Sequence, residues 1–470
     1  MSGARQSKKP HCSPARFVAY EVLRDVADRD AYANLALQAR IREARLNDQD
    51  AAFATELTSG TLRFAGKYDA IIELATGRKI SAIDPAVHTV LQLGVHQLVT
   101  LETPKHAAIH EQVELAKGVA GMRTSGFVNG VLRTVSRTSP EDWEARIVEG
   151  IGNDRDRLAT LYSHPRWIVD ALADALDAED RGSELEATLI ANNEPPRVQL
   201  AILEGEMTPE LAGETLTATG VSPLAYELSS GNPAQVIAAL TGAGVTAKVQ
   251  DQGSQLAALT LTEAAPVRDG EAWLDLCAGP GGKTAVLAAT ARQHGATVRA
   301  NEVTPHRAEL VRSSVKDFTD VVTVVSHDGR SEEAYGATQY DRILVDAPCS
   351  GLGALRRRPE ARWRKKPADV EPLHTLQREL LSAATAHLAP GGFLAYVTCS
   401  PHLHETRDVI EQHLREHEEL ELCESTVRVN GAGDHAATVQ LWPHRDNADA
   451  MFIALMRKKD ARGAELTEKP

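Results

Sequence analysis

No apolar run of about 18 or more residues occurs in the sequence, so no transmembrane helix is expected. Cysteine is sparse: five residues, at 12, 277, 349, 399 and 423, with no CxxC pair. That scatter excludes a zinc ribbon or a disulfide framework and suits free thiols in a reducing cytoplasm. The 17 histidines show no ligand spacing, and no metal is expected. Positive charge is in deficit as well. A net charge of −14 excludes a chain coated in positive potential, though not a local basic surface. The opening MSGARQSKKPHCSPAR is basic and has no apolar core segment. It reads as a disordered tail over residues 1–15, or an arm touching RNA, rather than a secretory signal. Fixed-period repeats and low-complexity tracts are missing too.

What is present has clear organisation. At 470 residues the chain exceeds one ordinary core, and 43% hydrophobic with 25% charged residues is a globular composition. Residues 16–142 read as a compact helical bundle, with Val18, Val22 and Val26 spaced by four and Pro85 in a helical first turn. SPEDW, at 139–143, reads as a boundary. Residues 150–245 read as a small α+β module, helical over 155–190 and then entering a strand after the tandem prolines of NNEPPRVQL. From 250 to 458 strand and helix patterns alternate: AWLDLCA, ATVRANEV, VVTVVSHD, DRILVDA, FLAYVTC and MFIALMR. This rhythm predicts a mostly parallel sheet with helices on both faces and the last strand as an antiparallel edge. Residues 459–470 read as a flexible tail.

CAGPGGKT follows a strand and opens a helix, so backbone amides can approach a ligand carboxylate or phosphate. A P-loop needs glycine where Cys277 stands, and the dinucleotide fingerprint needs it where Thr284 stands; both fail. Glu302 ends the next strand, where an acid accepts hydrogen bonds from ribose hydroxyls. Asp328 ends the one after, within reach of an adenine amino group. Loop and acids together describe an adenosine cofactor without pyrophosphate, and S-adenosylmethionine fits. Cys277 reads as a small packed residue lining that pocket.

Two more thiols, Cys349 in DAPCSGLG and Cys399 in VTCS, follow buried-strand patterns and open into loops. A thiolate adding to carbon 6 of cytosine makes carbon 5 nucleophilic toward an electrophilic methyl group. An acid beside a thiol, such as Asp346, suits hydrogen bonding at ring nitrogen 3. Directly after DAPCSGLG comes a basic run with one aromatic, including Arg356, Arg357, Arg358, Arg362, Trp363, Arg364, Lys365 and Lys366, which suits a nucleic-acid backbone. Cys12 and Cys423 read as tail and packed or surface thiols. His402 and His404 suit a polar helix start, and Asn192, Pro195, Pro196 and Arg197 an ordinary turn or an RNA-facing loop.

DLCAGPGGKT, DAPCSGLG and VTCS, in that order, resemble the RNA cytosine-C5 methyltransferases of the NOL1/NOP2/Sun family. RFVAYEVL, ATELTSGTLR, LQLGVHQL and GFVNGVLR resemble the NusB-like RNA-binding domain that one subfamily carries. The resemblance implies a NusB-like bundle, a linker module and a Rossmann-like methyltransferase domain acting on small-subunit ribosomal RNA. It implies Cys399 as nucleophile and Cys349 in product release. The implied cofactor contacts are Cys277, Ala278, Gly279, Pro280, Gly281, Gly282 and Lys283, with Glu302, Asp328 and Asp346; Lys283 is expected at the methionine carboxylate. CAGPGGKT differs from the usual CAAPGGKT, and HETRD keeps Glu405 but lacks the usual asparagine. A monomer in the cytoplasm is expected. A transfer RNA methyltransferase and a non-catalytic NusB-like assembly factor stay open as alternatives.

Overall fold

The computed structural model describes residues 11–336, 338–425 and 437–460; the expected tail over 459–470 lies almost wholly outside them, as does most of the amino-terminal one. The chain forms two compact units. One gathers residues up to Ala173, Arg181–Glu194 and Leu355–Lys365; the other gathers Asp174–Asp180, Pro195–Ala354 and residues from Lys366 on. The residues of the expected 150–245 module fall on both sides of this division.

The first unit is helical. Pro14–Arg29 starts with proline in its first turn, and Val18, Val22 and Val26 form its buried stripe. Asn47 caps Asp48–Arg63 by accepting from the Asp50 N–H. Asp84 does the same for Pro85–Val95, accepting from Ala86 and Val87. Lys105–Ala120 and Ser125–Val135 complete this set. SPEDW does not end the bundle. Ser139 caps a further helix, Pro140–Val148, and Trp143 is buried in the same core, its Nε1 donating to the Val135 carbonyl at 3.2 Å.

The second unit holds two sheets. The smaller has β1 (Val198–Glu204), β2 (Leu216–Ala218), β3 (Ala225–Leu228) and β4 (Thr246–Val249) in the order β2-β3-β1-β4, all antiparallel. The larger has β5 (Ala272–Asp275), β6 (Thr297–Asn301), β7 (Val322–Val325), β8 (Tyr340–Asp346), β9 (Leu388–Thr398), β10 (Leu420–Cys423), β11 (Thr438–Gln440) and β12 (Phe452–Lys458). Its order is β10-β12-β9-β8-β5-β6-β7, with β11 on β12. Strands β7, β6, β5, β8 and β9 are parallel. The final strand is antiparallel as expected but is not an edge. It pairs with β9 on one side and with β10 and β11 on the other, because its apolar residues are buried on both faces. Strand order reverses at β5, which lies between β6 and β8. Such a switch point opens a crevice at the carboxyl ends of the strands.

Candidate active site

β8 and β9 run side by side with Asp346 opposite Val397. The two chains leave the sheet at the same level, so Cys349 and Cys399 emerge together, their sulfurs 3.4 Å apart. The hydrogen bond from Cys349 lowers the Cys399 thiol against burial and the Asp346 charge, and the Lys283 cation helps. The same bond, burial and the charges of Cys399, Glu405 and Asp346 hold Cys349 well above an ordinary thiol. Of the two, Cys399 is therefore the thiol whose charged form is favoured and Cys349 the one whose charged form is disfavoured.

Two devices fix this geometry. Glu405 is fully buried, and its carboxylate accepts from the Ser350 N–H at 2.7 Å, the Ser350 hydroxyl at 2.5 Å, the Ser400 hydroxyl at 2.7 Å and Gln377 Nε2 at 3.3 Å. Ser350 follows one thiol and Ser400 the other, so a single carboxylate ties both loops. The second device is Gly353. Its N–H donates to the Cys399 carbonyl and its own carbonyl accepts from the Ala450 N–H, each at 2.9 Å. A Cβ there would stand 1.9 Å from the Ala450 oxygen, so only glycine permits the approach. Glu405 was visible in the sequence only as a motif remnant; its task depends on partners far away in the chain.

The glycine loop leaves β5 and enters the helix Gly282–His294, which is capped by Gly281 at φ 104°. Lys283 Nζ meets Asp346 Oδ2 at 2.7 Å and donates to Ser254 Oγ at 3.4 Å. Burial alone would lower this lysine; the Asp346 charge and hydrogen bond outweigh it and raise it. Asp275 at the end of β5 is pushed up to about 7 by burial, although Thr284 donates to it at 2.7 Å. Cys277 is raised well above the usual thiol range by burial and then by nearby carboxylates, which suits a packed rather than a reactive sulfur. Glu302 is buried; it accepts from the N–H groups of Gly279 and Thr304 and pairs with Arg307 at 3.3 Å. Asp328 lies more open, lowered to about 2 by its bonds to Arg330.

The basic run needs correction. Arg362 is fully buried in the helical unit. It donates to the carbonyls of Arg63, Ser163 and Asn192 and to Asn193 Oδ1, at 2.6–3.2 Å. Burial and then the Arg63 charge bring it down to about 9. Its guanidinium is spent on backbone carbonyls and is removed from the RNA-facing set, as is buried Arg356; Asn192 belongs to the same buried cluster. Arg358 and Trp363 are exposed, and Arg364 pairs with Asp30 at 2.6 Å beside the exposed ring of Tyr32. Past Cys399, His402 caps the turn Leu403–Glu405 by accepting from the His404 N–H at 3.2 Å, and His404 is held between Glu371 and Asp408 and stacks on His374. Among the described residues no cluster of three or more His, Cys, Asp or Glu could hold a metal ion, and no helix is long and apolar enough to cross a membrane.

The loop fits an amino-acid–nucleoside cofactor. Its backbone amides open a helix, a Cβ on Gly281 would meet Ser314 at 2.6 Å, and the buried Asp275 Oδ1 and both side-chain polar atoms of Gln250 have no partner in the fold. Family models agree with this arrangement: residues 263–457 match "16S rRNA methyltransferase RsmB/F" and residues 13–137 match the NusB family. The Mycobacterium tuberculosis H37Rv protein named "Putative methyltransferase Rv1407" is 46% identical over 97% of this chain and 99% of its own length. The ribosomal RNA small subunit methyltransferase B of Erwinia tasmaniensis is 33% identical over 88% of this chain and 92% of its own. The crystal structure of PH0851 shares the fold with TM-score 0.76 at 22% identity, covering 96% of this chain and all of that one (100%). NSun6 from Pyrococcus horikoshii, solved with SFG, shares it over 61% of this chain and 97% of its own, with TM-score 0.50 and 18% identity. A third of the residues identical along nearly the whole of a named relative is descent rather than chance, and this chain belongs to the RsmB/F family of 16S rRNA methyltransferases, whose methyl donor is S-adenosylmethionine.

Proposed function

We propose that this protein methylates carbon 5 of a cytosine in small-subunit ribosomal RNA through a reversible bond between Cys399 and the ring. One observation carries the reading: two sulfurs 3.4 Å apart, one with its pKa lowered and one with it raised, beside the Lys283–Asp346 pair. The cofactor, when bound, supplies an electrophilic methyl group. Cys399 Sγ, as thiolate, adds to carbon 6 of an unstacked cytosine. A proton delivered through Asp346, which Lys283 orients at 2.7 Å, passes to ring nitrogen 3 and neutralises the charge that the addition places on the ring. After transfer a base takes the proton from carbon 5. The carbon 5–carbon 6 double bond re-forms, and the carbon–sulfur electron pair returns to Cys399. The Cys349 thiol, 3.4 Å from that sulfur, stabilises the departing thiolate by donating a hydrogen bond to it.

Arg358 and Trp363 on the helical unit support the RNA assignment, since exposed guanidinium and indole groups suit phosphate and base stacking. Glu302 and Asp328 are proposed for the ribose and adenine. A transfer assay tests the reading: the protein is incubated with labelled S-adenosylmethionine and either ribosomal or transfer RNA. The expectation is transfer to ribosomal RNA, none with Cys399→Ala, and a covalent protein–RNA complex with Cys349→Ala. Full activity in both variants overturns the mechanism; transfer to transfer RNA alone overturns the substrate.

A further inference from the structure

Gln250 follows β4 and precedes the helix Gln252–Thr262. Its backbone is fully employed, the N–H donating to the Gln199 carbonyl at 2.9 Å and the carbonyl accepting from Gln255 Nε2 at 3.1 Å. Its side chain is not. The residue is only 7% exposed, and both Nε2 and Oε1 are buried without a hydrogen-bond partner. An orphaned amide inside a protein costs about 1–3 kcal/mol, so its presence asks for a reason. Its position suggests one. Nε2 is the heavy atom nearest to where a Gly282 Cβ would stand, at 3.4 Å. Gly282 is the first residue of the 13-residue helix Gly282–His294, whose leading N–H groups lack intrahelical partners and favour an anion.

Lys283, expected at the methionine carboxylate, has its ammonium on Asp346 and Ser254 instead. A carboxylate at this helix end therefore needs another side-chain donor. A primary amide offers one donor face and one acceptor face on a rigid plane, and an α-amino acid offers a carboxylate and an ammonium on adjacent bonds. The two match one to one. We infer that Gln250 is a further cofactor-binding residue, its Nε2 donating to the α-carboxylate of the methionine end at the start of the helix and its Oε1 accepting from the α-ammonium. This rests on the S-adenosylmethionine assignment and adds to it the residue that reads the amino-acid half.

Calorimetric titration of the full chain separates the two halves of the ligand. S-adenosylhomocysteine carries the amino acid; methylthioadenosine lacks it. In Gln250→Leu, affinity for S-adenosylhomocysteine should fall about ten- to hundred-fold, the range for a hydrogen bond to a charged group. Affinity for methylthioadenosine should stay as in the unsubstituted protein, and the ligand-free melting temperature should not fall, since leucine takes away no intramolecular bond and relieves the orphaned amide. Gln250→Glu, with a carboxylate facing a carboxylate, should lose at least as much. Undiminished S-adenosylhomocysteine binding in Gln250→Leu overturns the inference. So does an equal fall for both ligands, or a lowered ligand-free melting temperature, either of which makes the amide a structural group. Failure of the unsubstituted protein to bind S-adenosylhomocysteine sinks the cofactor assignment instead.

Discussion

Replacing Glu405 by alanine should loosen both thiol loops at once, and the structure sets the size of the effect. Four donors converge on this carboxylate: the Ser350 N–H, the two serine hydroxyls and Gln377 Nε2. Orphaning a buried donor costs about 1–3 kcal/mol. The full sum is an overestimate, because the hydroxyls of Ser350 and Ser400 already stand 3.1 Å apart and can satisfy each other by rotation. Gln377 Nε2 also keeps the Pro348 carbonyl at 2.8 Å. The Ser350 N–H is left, together with the lost packing of the side chain, for a total of about 2–4 kcal/mol. For a unit of this size that is roughly 4–7 °C in the melting transition. Scanning calorimetry of the full chain reads it, and methyl transfer should fall in parallel. Glu405→Gln keeps one acceptor oxygen and should fall between the two. A shift of less than about 2 °C, smaller than one orphaned donor should cost, would refute the claim that one carboxylate holds the two loops together.

Other substitutions test separate parts of the site. Gly353→Ala should abolish transfer and destabilise the chain by about 1–3 kcal/mol, since its methyl would stand 1.9 Å from the Ala450 carbonyl; near-normal activity would mean that the loop can move aside. Arg362→Met should cost the helical unit about 3–5 kcal/mol in denaturant unfolding by stranding four buried acceptors, and Arg362→Lys should not rescue it because one ammonium cannot reach the same fork; an unchanged midpoint would count against the buried cluster. The last concerns pH. Cys399 is lowered first by the Cys349 hydrogen bond, with the Lys283 cation also favouring the thiolate. Removing the cation disfavours the charged form, so in a Cys349→Ser background Lys283→Met should move the pH midpoint of Cys399 alkylation by iodoacetamide upward, and a downward shift would reverse the assigned electrostatics.

Much of this was legible because its signals are local. The strands of the large sheet announce themselves as short apolar runs, and CAGPGGKT, DAPC and VTC each sit where such a run stops. The helices of the first unit follow from stripes such as Val18, Val22 and Val26 and from caps such as Asp84. What escaped reading depends on pairing across distance. Strand order is not written in any one strand, so β12 was expected at an edge and lies inside. SPEDW carries boundary residues that also make a good cap, and only packing shows that Trp143 belongs to the bundle. Arg362 and Arg358 are alike in sequence; one is held by backbone carbonyls and the other is exposed. Glu405 and Gln250 matter through neighbours that no local pattern could name.

The bond from Ala450 to Gly353, and from Gly353 to Cys399, has a consequence for how the enzyme is made. Synthesis runs from the amino terminus, so both sulfurs leave the ribosome before the segment that braces them. A nascent chain that has released Cys399 but not Ala450 carries that thiol on an unbraced loop. The loop that carries Cys399 gains its brace only once this late stretch has been released.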